Sequence, residues 1–146
     1  VKEDNTVMIG DTGIVGRFFE TEKSIIYLAP EVLADLTNRT KKADIYSYGI
    51  MLWEMWYGTQ AFAELMPTEL MPLDQTIFQK HIDGGIRPGK KVMEISVPVI
   101  DKIMECCWSS HASERLPAKE CYDNFQHILE NSSDNELNGL NWSLRL

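Results

Sequence analysis

Between residues 43 and 57 the chain carries Ile45, Tyr46, Tyr48, Ile50, Met51, Leu52, Trp53, Met55, Trp56 and Tyr57, with almost no polar stripe among them. A helix apolar around its whole circumference must be covered on all sides. Roughly 15 residues fall short of the ~20 that span a bilayer, and Asp44 and Glu54 would be costly in lipid. The segment therefore predicts the hydrophobic axis of a mostly helical domain. Gly58 supplies its stop.

Shorter elements flank this axis. Val7-Met8-Ile9 is an apolar run followed by Gly10, Gly13 and Gly16, which predicts a short strand entering a loop. Pro30 with Glu31 beside it opens a short helix through about Leu36. Ile77, Phe78, His81 and Ile82 recur at helical spacing before Gly84-Gly85. Val99, Ile100, Ile103, Met104, Cys107 and Trp108 form a further stripe on a helix with Pro98 near its start. The last helix opens at Pro117 with Cys121, Tyr122, Phe125, Ile128 and Leu129 on one face, and an Asn/Ser-rich tail follows Glu130. The expected order is a strand, a loop, then five helices.

Charge narrows the partners. With 22 acidic and 14 basic side chains the formal net charge is -8, and no Lys/Arg run exceeds the pairs Lys41-Lys42 and Lys90-Lys91. Neither a nucleic acid nor an anionic membrane is attracted to such a field. The cysteines Cys106, Cys107 and Cys121 are too few and too oddly spaced for a disulfide framework or a zinc site, which predicts reduced thiols in a cytoplasmic protein. No stretch reaches the ~18 apolar residues of a membrane span. The first residue is Val1, so the sequence reads as a piece of a longer chain.

Five short motifs stand in a fixed order: Asp11-Thr12-Gly13, Ala29-Pro30-Glu31, Asp44-x-x-Ser47-x-Gly49, Cys107-Trp108 and Arg115-Leu116-Pro117. Together they resemble the second half of a protein kinase domain, in particular the tyrosine-kinase-like group. The resemblance implies the C-terminal, mainly α lobe of the α+β kinase fold, with a short strand at its N-terminus. The partial domain would cover residues 1–130, with an activation segment at 11–31, a helical lobe at 30–130 and a tail at 131–146. Asp11 matches the family's magnesium-binding Asp, a task suited to a hard carboxylate oxygen, and Gly13 lets that loop turn. ATP and Mg2+ are the implied cofactors, and a protein substrate the implied partner.

Ser24 and Tyr27 match the Thr and Tyr of the pattern Gly-Thr-x-x-Tyr-x-Ala-Pro-Glu, in the segment where a substrate docks. Tyrosine-specific members usually place Trp at the position of Tyr27, which favours Ser/Thr or dual specificity. Glu31 and Arg115 match a buried ion pair that ties the activation segment to the last helices. Asp44 matches an Asp that accepts backbone hydrogen bonds from the catalytic loop, and Trp108 a Trp that caps the lower core.

Three departures accompany these matches. Thr12 stands where the family has Phe, Lys23 where it usually has Gly, and Leu116 separates Arg115 from Pro117. Thr12 opens the alternative of a pseudokinase or scaffold module with a docking face around residues 77–82. The glycine-rich loop, its Lys and Glu partners and the catalytic-loop Asp and Asn all precede the Asp-x-Gly motif in this family. No catalytic residue is therefore expected within the piece, which by itself should not transfer phosphate. Asp11-Thr12-Gly13 also matches a retroviral-type aspartic protease, but that fold is all-β and has no place for an apolar helix at 43–57.

Overall fold

A computed structural model of the chain describes residues 22–65, 74–89 and 98–131. Its centre is α2, Lys41–Tyr57. Thr40 caps it by accepting from the Ala43 N–H, and Gly58 ends it in the left-handed region at φ 60°, where a residue without Cβ is unstrained. The helix starts two residues before the apolar run because this cap, not hydrophobicity, sets its first turn. Ile45, Tyr46, Gly49, Ile50, Leu52, Trp53 and Trp56 are buried. Met51 and Met55 are exposed at 44% and 51%, so one line of the axis lies open among the described residues.

Ahead of α2 run a 3-10 turn, Glu22–Tyr27, and the short helix α1, Pro30–Ala34. Pro30 sits in the first turn, where its missing N–H costs nothing. α1 stops before Leu36 because Asp35 turns its side chain onto Thr37, whose backbone N and Oγ1 donate to Asp35 Oδ1 at 2.9 and 2.7 Å. That local bond competes with another helical turn. Val32 and Leu33 face the core.

α3, Gln75–Asp83, is capped by Asp74, whose Oδ1 accepts from the backbone N–H groups of Thr76 and Ile77. Those two bonds hold the Asp74 carboxyl below its ordinary range. Phe78 and Ile82 are buried, whereas Ile77 is 55% exposed. Gln75 Nε2 donates to the Leu33 carbonyl, joining α3 to α1. Phe62 packs edge-on against Phe78, with ring centroids 5.3 Å apart.

α4, Pro98–Cys107, lies against α2 with Ile100, Ile103, Met104 and Cys107 inward. Tyr57 donates to Asp101 Oδ1 at 2.9 Å. A Cβ built on Gly49 would stand 2.8 Å from the Cβ of Cys107, so only glycine lets the two helices approach this closely. A 3-10 turn, Ala112–Glu114, leads to α5, Ala118–Asn131. Cys121 is buried and Phe125 and Ile128 half-buried against the core, while Tyr122 turns out at 62% exposure.

The described residues are thus helices and connecting turns, five α-helices in the expected order. Among the described residues the architecture is mainly helical, in keeping with the mainly α lobe expected from the sequence. The strand expected at Val7-Met8-Ile9 and most of the tail expected at 131–146 lie outside the described residues. Among the described residues no helix is long and apolar enough to cross a membrane.

Candidate functional site

Two segments far apart in sequence meet over the start of α2. Glu31 occupies the first turn of α1, where the helix dipole favours a negative charge. Arg115 follows the 3-10 turn Ala112–Glu114 and is 1% exposed. Its Nη1 and Nη2 donate to Glu31 Oε1 and Oε2 at 2.6 and 2.7 Å, a fork-on-fork geometry that only a guanidinium can make. Burial pushes the Glu31 carboxyl up, but the hydrogen bonds and charge of Arg115 outweigh it and leave the group below its ordinary value.

Two more Arg115 N–H groups are also used. Nε donates to the Ser109 carbonyl and Nη1 to the Lys42 carbonyl, both at 2.9 Å. Lys42 Nζ in turn donates to the Arg115 carbonyl. Tyr46 lies against the same guanidinium, whose carbon stands 5.2 Å from the ring centroid, and Arg87 approaches that ring to 5.3 Å. Burial pushes the Tyr46 phenol up to about 12, against the pull of the two arginines. Its hydroxyl has no hydrogen-bond partner among the described residues.

A second set of contacts fastens the chain just before α1. Tyr27 donates its hydroxyl to Glu54 Oε2 at 2.6 Å, and Ser47 Oγ donates to the Tyr27 carbonyl at 2.7 Å. Glu54 is itself fixed, since its Oε1 accepts from the Ala61 N–H at 2.8 Å. Burial, followed by the neighbouring Glu54 carboxylate, raises the Tyr27 phenol well above its ordinary range. Tyr27 is thus held against α2 through both its hydroxyl and its carbonyl.

The other expected positions spread around this centre. Asp44 is exposed in the first turn of α2. Gly49 sits at the close approach to Cys107. Trp108 is buried, and its carbonyl accepts from Arg87 Nε, while Arg87 Nη1 reaches the Ile82 carbonyl and Nη2 reaches Ser110 Oγ. Ser24 lies in the turn Glu22–Tyr27. Asp11, Thr12 and Gly13 lie outside the described residues. Among the described residues, no three or more of His, Cys, Asp and Glu cluster to hold a metal ion.

Lys42, Tyr46, Glu54 and Arg87 complete this arrangement and were not singled out as site residues by sequence reasoning. Only Glu54 carried a visible signal, a carboxylate inside an apolar helix. The arrangement has no nucleophile poised on a base. What it can do is fix the backbone of residues 25–34 against α2 with little freedom.

The family model for protein tyrosine and serine/threonine kinases matches residues 1–125. The chain is similar to the fibroblast growth factor receptor homolog 1 of Drosophila melanogaster, 28% identical over 92% of the chain and 18% of that protein. It is 25% identical to the serine/threonine-protein kinase STY17 of Arabidopsis thaliana, over 92% of the chain and 23% of the relative. It is 26% identical to the dual specificity protein kinase shkC of Dictyostelium discoideum, over 78% of the chain and 21% of the relative. In each case the chain spans about a quarter of the relative's length or less.

Proposed function

The chain belongs to the protein tyrosine and serine/threonine kinase family, and from that premise we propose that it is the helical lobe of an enzyme that transfers the γ-phosphate of ATP to serine or threonine side chains of a protein substrate. The observation that carries this reading is the Glu31–Arg115 pair, a buried bidentate contact between residues 84 positions apart. In phosphoryl transfer the protein contributes positioning and electrostatics more than covalent chemistry. A clamp that fixes the chain entering α1 serves positioning directly.

Each residue then takes a stated part. Asp11 would hold magnesium through a carboxylate oxygen, which would supply charge neutralisation at the phosphates of ATP. Residues 15–28 receive the substrate, with Ser24 and Tyr27 in the docking stretch, and Tyr27 in place of Trp favours a hydroxyl of Ser or Thr. Glu31, Asp44, Gly49, Trp108 and Arg115 hold the scaffold. In this family the phosphate loop and the catalytic base belong to segments that precede the Asp-x-Gly motif. The enzyme works in the cytoplasm, without a nucleic-acid partner.

The test is magnesium-dependent transfer of label from ATP to a Ser/Thr peptide by the full-length protein. Asp11→Asn is expected to abolish it, and unchanged turnover would refute the metal role. Thr12, standing where relatives carry Phe, favours a second reading as a pseudokinase scaffold. No transfer by the unaltered full-length protein, with its fold intact, is the result that selects it.

A further inference from the structure

Cys107 is the last residue of α4 and Cys121 lies in the first turn of α5, and their sulfur atoms stand 3.6 Å apart in the core. They are 0% and 5% exposed. Cys106 is half-buried one position earlier on α4, and all three cysteines are free. From this contact we propose that Cys107 and Cys121 are a redox-active dithiol, which hydrogen peroxide converts to a disulfide bridging α4 and α5. The proposal is independent of phosphotransfer.

Geometry favours this pair over the alternatives. Sulfurs in van der Waals contact need close by only about 1.5 Å to reach the ~2.05 Å of a disulfide. Cys107 cannot swing toward α2, because the backbone of Gly49 already lies against its Cβ. The adjustment therefore falls on α5. Burial also selects the oxidant: a small neutral peroxide can reach a site closed to a bulky disulfide such as oxidised glutathione.

Burial raises both thiols, and Cys121, 5% exposed against 0% for Cys107, is the sulfur nearer to solvent and the one that meets peroxide. Its sulfur attacks one peroxide oxygen as the thiol proton is given up, the O–O bond breaks, and the leaving hydroxide takes that proton to become water. The Cys107 sulfur then attacks the resulting sulfenic acid at sulfur. The S–O bond breaks, and the Cys107 proton departs with the hydroxyl as a second water. Two thiols give up two electrons and one peroxide accepts them. The closed ring contains Ser109 and Arg115, so the bridge would pin both ends of the segment that presents Arg115 to Glu31.

The experiment treats the folded chain with hydrogen peroxide, alkylates the remaining thiols under denaturing conditions and maps tryptic peptides. Cleavage after Lys102, Arg115, Lys119 and Arg145 places Cys106 and Cys107 on one peptide and Cys121 on another. The expected product is a cross-link between them, reversed by dithiothreitol, with fragmentation between Cys106 and Cys107 assigning it to Cys107 and leaving Cys106 alkylated. Cys106→Ser retains the link and Cys121→Ala loses it. A link through Cys106, over-oxidation of Cys121 without a link, or Cys107 and Cys121 remaining free while Cys106 is oxidised would each overturn the proposal. The map of the unaltered protein decides even if Cys121→Ala fails to fold.

Discussion

Two ion pairs, Glu31–Arg115 and Lys119–Asp123, have the same 2.6 Å separation and opposite surroundings. In the first, the side chains are 0% exposed for Arg115 and 19% for Glu31, and the residues come from segments 84 positions apart. In the second, they are 82% and 52% exposed and lie one helical turn apart on α5. Length therefore says nothing about their importance. Arg115 is withdrawn from solvent, and its hydrogen bonds join three different parts of the chain: α1, the start of α2 and the loop after α4. The exposed pair competes with solvent and organises only its own helix.

The sharpest way to break this contrast is Arg115→Met, which fills similar volume but leaves the Glu31 carboxylate and the carbonyls of Ser109 and Lys42 without their donor. A loss of about 3–5 kcal/mol is expected from urea unfolding. A midpoint near that of the unaltered chain would place both pairs in one class. Acid titration gives a smaller effect. The folded Glu31 carboxyl lies below its ordinary value of 4.5, so its contribution is fully present above that pH and is lost as pH falls through the folded value. Glu31→Gln is expected to flatten the stability–pH curve below pH 4.5, and a slope equal to that of the unaltered chain would remove Glu31 as its source. Lys119→Ala marks the lower end, with no measurable change in the urea midpoint and no change in its salt dependence beyond error.

The same contrast explains what could be read from the sequence. The axis α2 was legible because a long apolar run with a glycine stop encodes itself locally. The short motifs placed Glu31 and Arg115 in one candidate site through family resemblance. The termini were less legible, because side chains competing for backbone groups set them. Asp35 captures Thr37 and ends α1 early, while Thr40 and Asp74 begin α2 and α3 ahead of their apolar stripes. The openness of Met51 and Met55 depends on what packs over α2, which no local pattern records. Nor could spacing reveal that Lys42 and Tyr46 enclose Arg115, or that Glu54 receives Tyr27, since these contacts exist only after the chain has folded.

Stability alone does not connect the Glu31–Arg115 clamp with catalysis. The decisive measurement is phosphotransfer by the full-length protein carrying Arg115→Lys, at a temperature where it and the unaltered protein are both folded. Lysine keeps the charge but cannot make the bidentate contact. If the clamp positions the segment before α1 for the reaction, turnover falls on the order of 10²-fold while the KM for ATP is unchanged. Turnover within about twofold of the unaltered protein, on the scale of ordinary rate differences in RT terms, would contradict that role.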